Sequence, residues 1–522
     1  MVQQTLLDPP VAAVPGDVAG SRIPFARLAA LVPAVLLVHG YHPFADDAGI
    51  YVAGIRKLLD PMLFKPDAPF VVANTRLSVF AHFLAEIVRV THLPLTIVLL
   101  ATYLVSIYLF LVACWMVGSC IFSKTAERWF AVAFAGACFT LPAAGTALVL
   151  MDPYVTSRSF STPLGLFALA AALDRRFGFA AVLIVLTGLM HPLMAIYAAA
   201  LVLLYILIDF GLTWGAFLLC AAGVASCGCL YLATVHIPVS PAYREAVSNH
   251  VRQFLFPWTW SWYEDFGLVA PLGLMALAAS RAGRGVRAWK LCLACILLGL
   301  SSILVAFLFV HRSGPYFLVR LQLLRSFHTI YVVGVVLLGG WLGKMLWYQK
   351  KVRWVLFVML AAASGGLYAA QRATYPLSAH IEWPGRSEPL NPWEQAYVWI
   401  REKTPPDAVF AANTELVFLD GVDSQGFRAT TKRSILADAK DEGVAVIVDP
   451  KIVNEWAKQY NAQANIDNES DQQRISRLKP FGVTWLLLPA QASTGFPCPF
   501  NNGVAKVCRM VYPKPSTDRV LK

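Results

Sequence analysis

Residues 95–122 read LTIVLLATYLVSIYLFLVACWMVGSCIF, 28 consecutive residues without a charge. About 20 apolar residues cross the hydrocarbon layer of a bilayer as a helix. A helix on the surface of a soluble domain would show a polar face, and this stretch has none. It predicts a membrane span. Further apolar runs flank it at 23–41, 75–91, 129–150, 160–174, 177–190, 192–209, 212–235, 267–280, 290–311, 327–347 and 353–370. Several are short, and Pro142 or Gly145 offers an extra break within 95–150. Pro and Gly are tolerated in such helices where neighbours satisfy the backbone.

Composition agrees. Of 522 residues, 57% are hydrophobic and 14% charged, and the mean hydropathy is +0.58. A soluble domain carries about 25% charged residues. The charge is also unevenly placed, because residues 371–522 resemble an ordinary soluble sequence. The expected class is an α-helical multi-pass membrane protein with a C-terminal soluble α/β domain. Residues 1–22 are read as a cytoplasmic tail and 23–370 as the membrane domain, with a first external loop at 42–74. Residues 371–522 are read as an external domain. Length alone would suggest about three domains, but the hydropathy overrides it.

The net charge of +12 does not point to nucleic acid. Much of the excess lies in short loops, at Arg281, Arg284, Arg287 and Lys290 and at Lys350, Lys351 and Arg353. Such clusters set membrane orientation. Arg22 and Arg27 place the N-terminus in the cytoplasm, and the later clusters place everything after Ala370 outside. Opposite ends require an odd number of spans. Twelve runs therefore imply a thirteenth, a missed helix or re-entrant pair between 75 and 175. Met1–Ser21 is polar and contains Pro and Gly, so the first run reads as an uncleaved membrane helix.

In the soluble part, Pro392–Glu402 has Trp393, Ala396, Tyr397 and Ile400 on one helical face. Ala408–Ala412, Val444–Val448 and Val483–Pro489 read as strands, with helices over Lys451–Tyr460 and Gln472–Leu478. Alternating strands and helices predict a small α/β sandwich. No Gly-rich phosphate loop appears, which weakens a nucleotide-binding reading. Eight of the ten cysteines lie in or beside apolar runs and pack as small apolar residues. Cys498 and Cys508 close a short loop, and an oxidising compartment would favour a disulfide there.

The first loop carries the most concentrated chemistry, Tyr41-His42-Pro43-Phe44-Ala45-Asp46-Asp47. Adjacent carboxylates at the mouth of a membrane helix are costly unless solvated, paired or metal-bound. Two readings stand. Asp46 and Asp47 are a general base or metal-binding pair facing a cavity, or they favour the dipole at a helix N-terminus. Ala48–Leu59, apolar with Arg56 and Lys57, predicts a helix lying along the interface.

An acid pair just after the first helix, an interfacial helix, many further helices and an external C-terminal domain together resemble the GT-C superfamily of membrane glycosyltransferases. The likeness extends, in short pieces, to uncharacterised bacterial GT-C-like proteins: Trp399–Phe410 (WIREKTPPDAVF), Gly426-Phe427-Arg428 and Lys432-Arg433-Ser434. The resemblance implies transfer of a sugar from a polyprenyl-phosphate donor. It also implies that Asp46 or Asp47 activates the acceptor or holds a divalent cation. The Trp-Trp-Asp-Tyr-Gly signature of oligosaccharyltransferase catalytic subunits is absent, which argues against that branch and its peptide acceptor.

A second cluster runs from His311 through Arg312, Arg320 and Gln322 to Arg325 and His328. It is predicted to lie outside, where positive charge runs against the usual bias. A donor phosphate would compensate, since guanidinium groups grip phosphate with paired charge-assisted bonds. Arginine snorkelling to lipid headgroups is the other reading. Gln322 and Arg325 are expected on one helix face. Asp152 and Arg158, in a polar break, either bind substrate or pair with each other. His191 before Pro192 is a packing residue or a cavity ligand. Trp258, Trp260 and Trp262 mark a membrane interface or stack on sugar, with Glu264 and Asp265 as a second acid pair. No zinc-type spacing, Ser/His/Asp motif or internal repeat is evident. A non-catalytic transporter or envelope scaffold remains the alternative class. Membrane lipids are expected partners, and no protein partner is indicated. A bacterial inner membrane is the expected location.

Overall fold

The computed structural model describes residues 23–234, 239–247, 253–311, 315–385 and 389–512. Arg312 lies outside the described residues. Among them, six helices are long and apolar enough to cross a membrane. These are Leu95–Ile121, Pro192–Asp209, Trp262–Ala282, Arg287–Phe309, Tyr316–Leu346 and Trp354–Thr374. Ala68–Arg76 and Phe80–Thr91 form a pair bent by 97°. Phe25–His39, Arg158–Leu173, Phe177–Met190 and Thr213–Gly223 are shorter apolar helices.

Each of the twelve expected runs contains a helix, and these six reach the length of a full span while the others are shorter or bent. Breaks shorten several of those runs. The run at 129–150 is helical only within Thr125–Ala137. Beyond it the chain folds into an irregular, mostly buried loop with a bridge between Pro142 and Val149. Buried non-helical backbone must find hydrogen-bond partners within the protein. Ala143 N–H donates to Leu148 O and Leu150 N–H to Leu141 O. His328 Nε2 lies 2.9 Å from Leu150 O. The bent pair and this loop occupy the region where an extra span was expected.

Helix packing uses small residues. Ser326–Leu346 lies against Thr125–Ala137, with Gly339, Gly340 and Gly343 facing Phe122 and Phe130. A Cβ at Gly339 would come within 2.6 Å of the Phe130 carbonyl oxygen. Lipid offers no hydrophobic gain for bringing helices together, so close van der Waals contact through glycine carries such interfaces.

The C-terminal domain holds a five-stranded sheet. Its strands are β1 (Val409–Ala411), β2 (Ser434–Ile435), β3 (Trp485–Pro489), β4 (Phe500–Asn501) and β5 (Ala505–Arg509). Their order is β2-β1-β3-β5-β4. β1 pairs in parallel with β2 and β3, while β5 is antiparallel to β3 and β4. The helix Pro392–Lys403 starts where Asn391 Oδ1 accepts from Trp393 N–H, with proline at its first position. It buries Trp393, Ala396, Tyr397 and Ile400 on one face of the sheet, as their spacing requires. Ile466, Leu478 and Phe496 cover the other face. Cys498 is bonded to Cys508 of β5. Val444–Val448 is not the expected strand but a wide helical turn. Val444 is buried, and Ala445 and Val446 belong to the same core as the membrane bundle, so a fully apolar run there reflects packing against the bundle.

The first loop is stitched to this distant domain. Tyr41 N–H donates to His380 O and Glu382 N–H to Tyr41 O. Gly426 N–H donates to Phe44 O at 2.8 Å, and Asp46 N–H to Ser424 O at 2.8 Å. The helix Asp47–Leu59 is not a free interfacial helix. It packs between Phe80–Thr91 and the short helix Phe427–Thr431. Gly49 and Gly426 meet so closely that a Cβ on Gly426 would lie 2.7 Å from Gly49 Cα.

One chemical change made in two membrane helices tests the packing account. Gly339→Ala must push a methyl into the Phe130 carbonyl, and it is expected to destabilise by about 1–3 kcal/mol. A Cβ at Gly366, in the helix Trp354–Thr374, meets nothing within 4 Å. Gly366→Ala is expected to be neutral or to stabilise by up to about 1 kcal/mol. Thermal unfolding of the purified protein reads both.

Candidate functional site

Asp46 and Asp47 sit at the joint between bundle and C-terminal domain. Asp46 precedes the helix Asp47–Leu59 and has a φ of +47°, unusual for a residue with a side chain. Such strain costs on the order of 1–3 kcal/mol and persists only where surroundings over-determine it. Here the bond from Asp46 N–H to Ser424 O and the side-chain partners do so. The strain lets two consecutive carboxylates turn toward one cation.

That cation is Lys440. Its Nζ bonds Asp46 Oδ1 and lies 2.8 Å from Asp47 Oδ1. Tyr154 O–H donates to Asp46 Oδ2 at 2.8 Å. Arg158 Nη2 meets Asp47 Oδ2 at 2.9 Å and Asp152 Oδ2 at 3.0 Å. The Asp152–Arg158 pair is thus real and extends to Asp47. Burial and the Asp46 charge push the Tyr154 phenol well above its ordinary value, so it remains a donor. Burial likewise raises the Asp152 carboxyl, against the pull of Arg158.

Beside this cluster lies a cavity of about 310 Å³, within the size range of small-molecule sites. Asp47, Arg158, His191, Arg320, Gln322 and Arg325 all line it, together with Lys440 and the turn at Val444–Val448. Asp46 instead lines a smaller pocket of about 50 Å³, shared with Lys440 and Asp441. Lys440 therefore borders both spaces and separates the two acids.

Arg325 is held by Thr146 O at 3.2 Å and lies over the Phe254 ring, 4.7 Å from its centroid. Arg320 donates to Ile447 O at 2.9 Å. Gln322 and Arg325 do not share a helix face. Gln322 has φ +47° and breaks the helix, leaving Arg325 in the following short turn. Both still reach the cavity. Gln322 Oε1 is buried without a hydrogen-bond partner. His191 begins the helix Pro192–Asp209, where its Nδ1 faces Met194 N–H at 3.5 Å.

Glu264 and Asp265 are not part of this cavity. Glu264 closes a capping box with Ser261, its Oε2 accepting from Ser261 N–H at 2.8 Å. As for a divalent cation, no group of three or more His, Cys, Asp or Glu residues converges among the described residues. All four oxygens of Asp46 and Asp47 meet protein donors, and an ammonium occupies the place between them. The residues present do not fit a resident metal.

Sequence reading missed Lys440, together with Arg428. Arg428 ion-pairs with Asp67 of the first loop and with Asp441, 2.9 Å away. Burial raises the Asp441 carboxyl against that pairing. The roles of Lys440 and Arg428 are not marked locally, because their first-loop partners lie 394 and 361 residues away in sequence. The segment Gly426-Phe427-Arg428 was the one local pointer.

The fold and site together define an integral membrane protein with a polar, cation-rich cavity under a C-terminal α/β domain. Residues 391–462 match the model of a domain of unknown function, DUF6798. That stretch includes Arg428, Lys440 and Asp441. No curated protein matches the chain. Among solved structures, the chain is similar to the archaeal oligosaccharyltransferase AglB from Archaeoglobus fulgidus. One such structure, in complex with an inhibitory peptide and a dolichol-phosphate, is 12% identical at a TM-score of 0.41, covering 90% of this chain and 69% of that one. A second, tethered with an acceptor peptide, is 11% identical at 0.42, covering 90% and 68%.

Arg428 is a second ionic tie between first loop and domain, beside Lys440. Arg428→Met would strand Asp67 and Asp441 as buried carboxylates, and is expected to cost about 3–5 kcal/mol. The double change Arg428→Met with Asp441→Asn is expected to recover part of that loss in the same unfolding measurement.

Proposed function

We propose that the chain is a GT-C-like membrane glycosyltransferase that takes a sugar from a polyprenyl-phosphate donor. One observation carries the reading. Asp47, on the first loop, and Arg325, nearly 280 residues later, line the same cavity. A transfer site needs an acid to receive the acceptor's proton and cations to receive the leaving phosphate, and this cavity has both.

In the proposed reaction the acceptor hydroxyl oxygen attacks the anomeric carbon with inversion. The bond from that carbon to the phosphate oxygen breaks, and the phosphate departs with the electron pair. Asp47 takes the hydroxyl proton, a general-base role. Arg325 and Arg320 stand where negative charge develops on the leaving phosphate, so they favour the transition state electrostatically. Gln322 Oε1, an acceptor without a partner, suits a sugar hydroxyl. Lys440 and Arg158 hold Asp47 from either side, and His191 completes the wall. The C-terminal domain contributes Lys440 and the turn at Val444–Val448, and it is placed to orient the acceptor. Lys and Arg clusters in the loops favour an external position for that domain, on the outer face of a bacterial inner membrane.

Transfer from polyprenyl-linked sugars to acceptors, assayed with purified protein, tests this. Asp47→Asn is expected to lower the rate by about 10²-fold or more, and Arg325→Ala by a comparable factor. Retained transfer in Asp47→Asn would remove that residue from the mechanism. No transfer by the wild type with any polyprenyl-linked donor would favour a transporter or envelope scaffold.

A further inference from the structure

We infer that Lys440 is the resident cation of the Asp46–Asp47 pair, so that the site is built to work without a bound divalent metal. Its ammonium touches one oxygen of each carboxylate. A divalent ion shared by two adjacent carboxylates would stand in that same position. The remaining oxygens are held by Tyr154 and Arg158. Charge agrees with occupancy. Asp46, Asp47 and Asp152 set three negative charges against the two positive charges of Lys440 and Arg158. One net negative charge is left. A divalent ion added to the intact cluster would overshoot neutrality and meet the ammonium at contact distance. Replacing Lys440 with a neutral residue leaves two net negative charges, which a divalent ion would match.

The arrangement also fixes where the cation comes from. Lys440 is buried, its side chain 8% exposed. It belongs to the short helix Ala439–Gly443, which starts at the cap made by Asp438. The neighbouring Asp441 is tied to Arg428, and Arg428 to Asp67. The C-terminal domain thus delivers its cation on a braced element rather than on a free side chain. The acid pair has its second cation only while the domain is docked. In this sense Lys440 is a positioning residue for Asp47.

Mn²⁺ titration of the EDTA-treated full-length protein tests the inference, with uptake read by electron paramagnetic resonance and thermal unfolding read alongside. Mn²⁺ suits carboxylate ligands. The wild type is expected to take up no Mn²⁺ up to about 1 mM, the weak end of hard-cation sites. Its unfolding midpoint should not change with EDTA. Lys440→Ala is expected to unfold earlier in EDTA, to take up one Mn²⁺ per chain and to regain stability with it. Adding Asp46→Asn and Asp47→Asn should abolish that uptake. Lys440→Arg, which keeps a cation, should behave as the wild type and serves where Lys440→Ala does not fold. Uptake of Mn²⁺ by the wild type that Asp46→Asn or Asp47→Asn removes would overturn the inference. So would a folded Lys440→Ala protein with neither Mn²⁺ uptake nor loss of stability. Because the readout is ion uptake, the outcome is separate from whether the protein transfers sugar.

Discussion

The contact between Lys440 and the Asp46–Asp47 pair is the constraint on which the rest of the site depends. Two adjacent carboxylates repel, and partly buried as these are they lack the full hydration that would screen them. A cation must come to them. In this chain it comes from a domain that follows the last membrane helix. Every feature around the contact serves to bring it into register. The strained Asp46 backbone turns its carboxylate, Gly49 and Gly426 let the backbones approach, and Arg428 ties Asp67 to the helix that carries Lys440.

Docking the domain has a second effect, because it closes a cavity. The turn at Val444–Val448 supplies one wall, and its carbonyls at Ile447 and Val448 hold Arg320. The opposite wall comes from the break at Gln322, from Arg325 and from His191. Apolar packing is continuous across the joint, since Ala445, Val446 and Trp456 belong to the same buried core as the membrane helices. The domain is therefore part of the site's wall and not a separate appendage. Loss of docking would expose the acids and open the cavity together.

Much of the architecture was legible in the sequence because it rests on local patterns. The uncharged run at 95–122 could be little but a membrane helix, and the face of Pro392–Lys403 followed from spacing alone. The apolar run Val444–Val448 was misread because burial on all sides looks the same whether a segment is strand or helical turn. Each of the twelve apolar runs contains a helix, but hydropathy could not show which are long enough for a full span, or that the run at 129–150 gives way to a buried turn at 138–157. Of the residues that stand out locally, the acid pair, Arg320, Arg325 and the Asp152–Arg158 break all lie in or beside the one cavity. What could not be read was which of them meet. Lys440 and Arg428 look like ordinary surface charges in a soluble domain until the fold carries them to the first loop. Glu264 showed the converse, an acid that looked chemical and is a helix cap.

The central claim is that Asp47 and Arg325 face one cavity that takes a lipid phosphate while the C-terminal domain is docked. An experimental structure of the full-length protein in a lipid nanodisc, with a polyprenyl phosphate added, tests it most directly. The account predicts phosphate density within hydrogen-bonding distance of Arg325, opposite Asp47, with Lys440 still between Asp46 and Asp47. Phosphate bound elsewhere, or a C-terminal domain standing away from the first loop with the lipid bound, would contradict it.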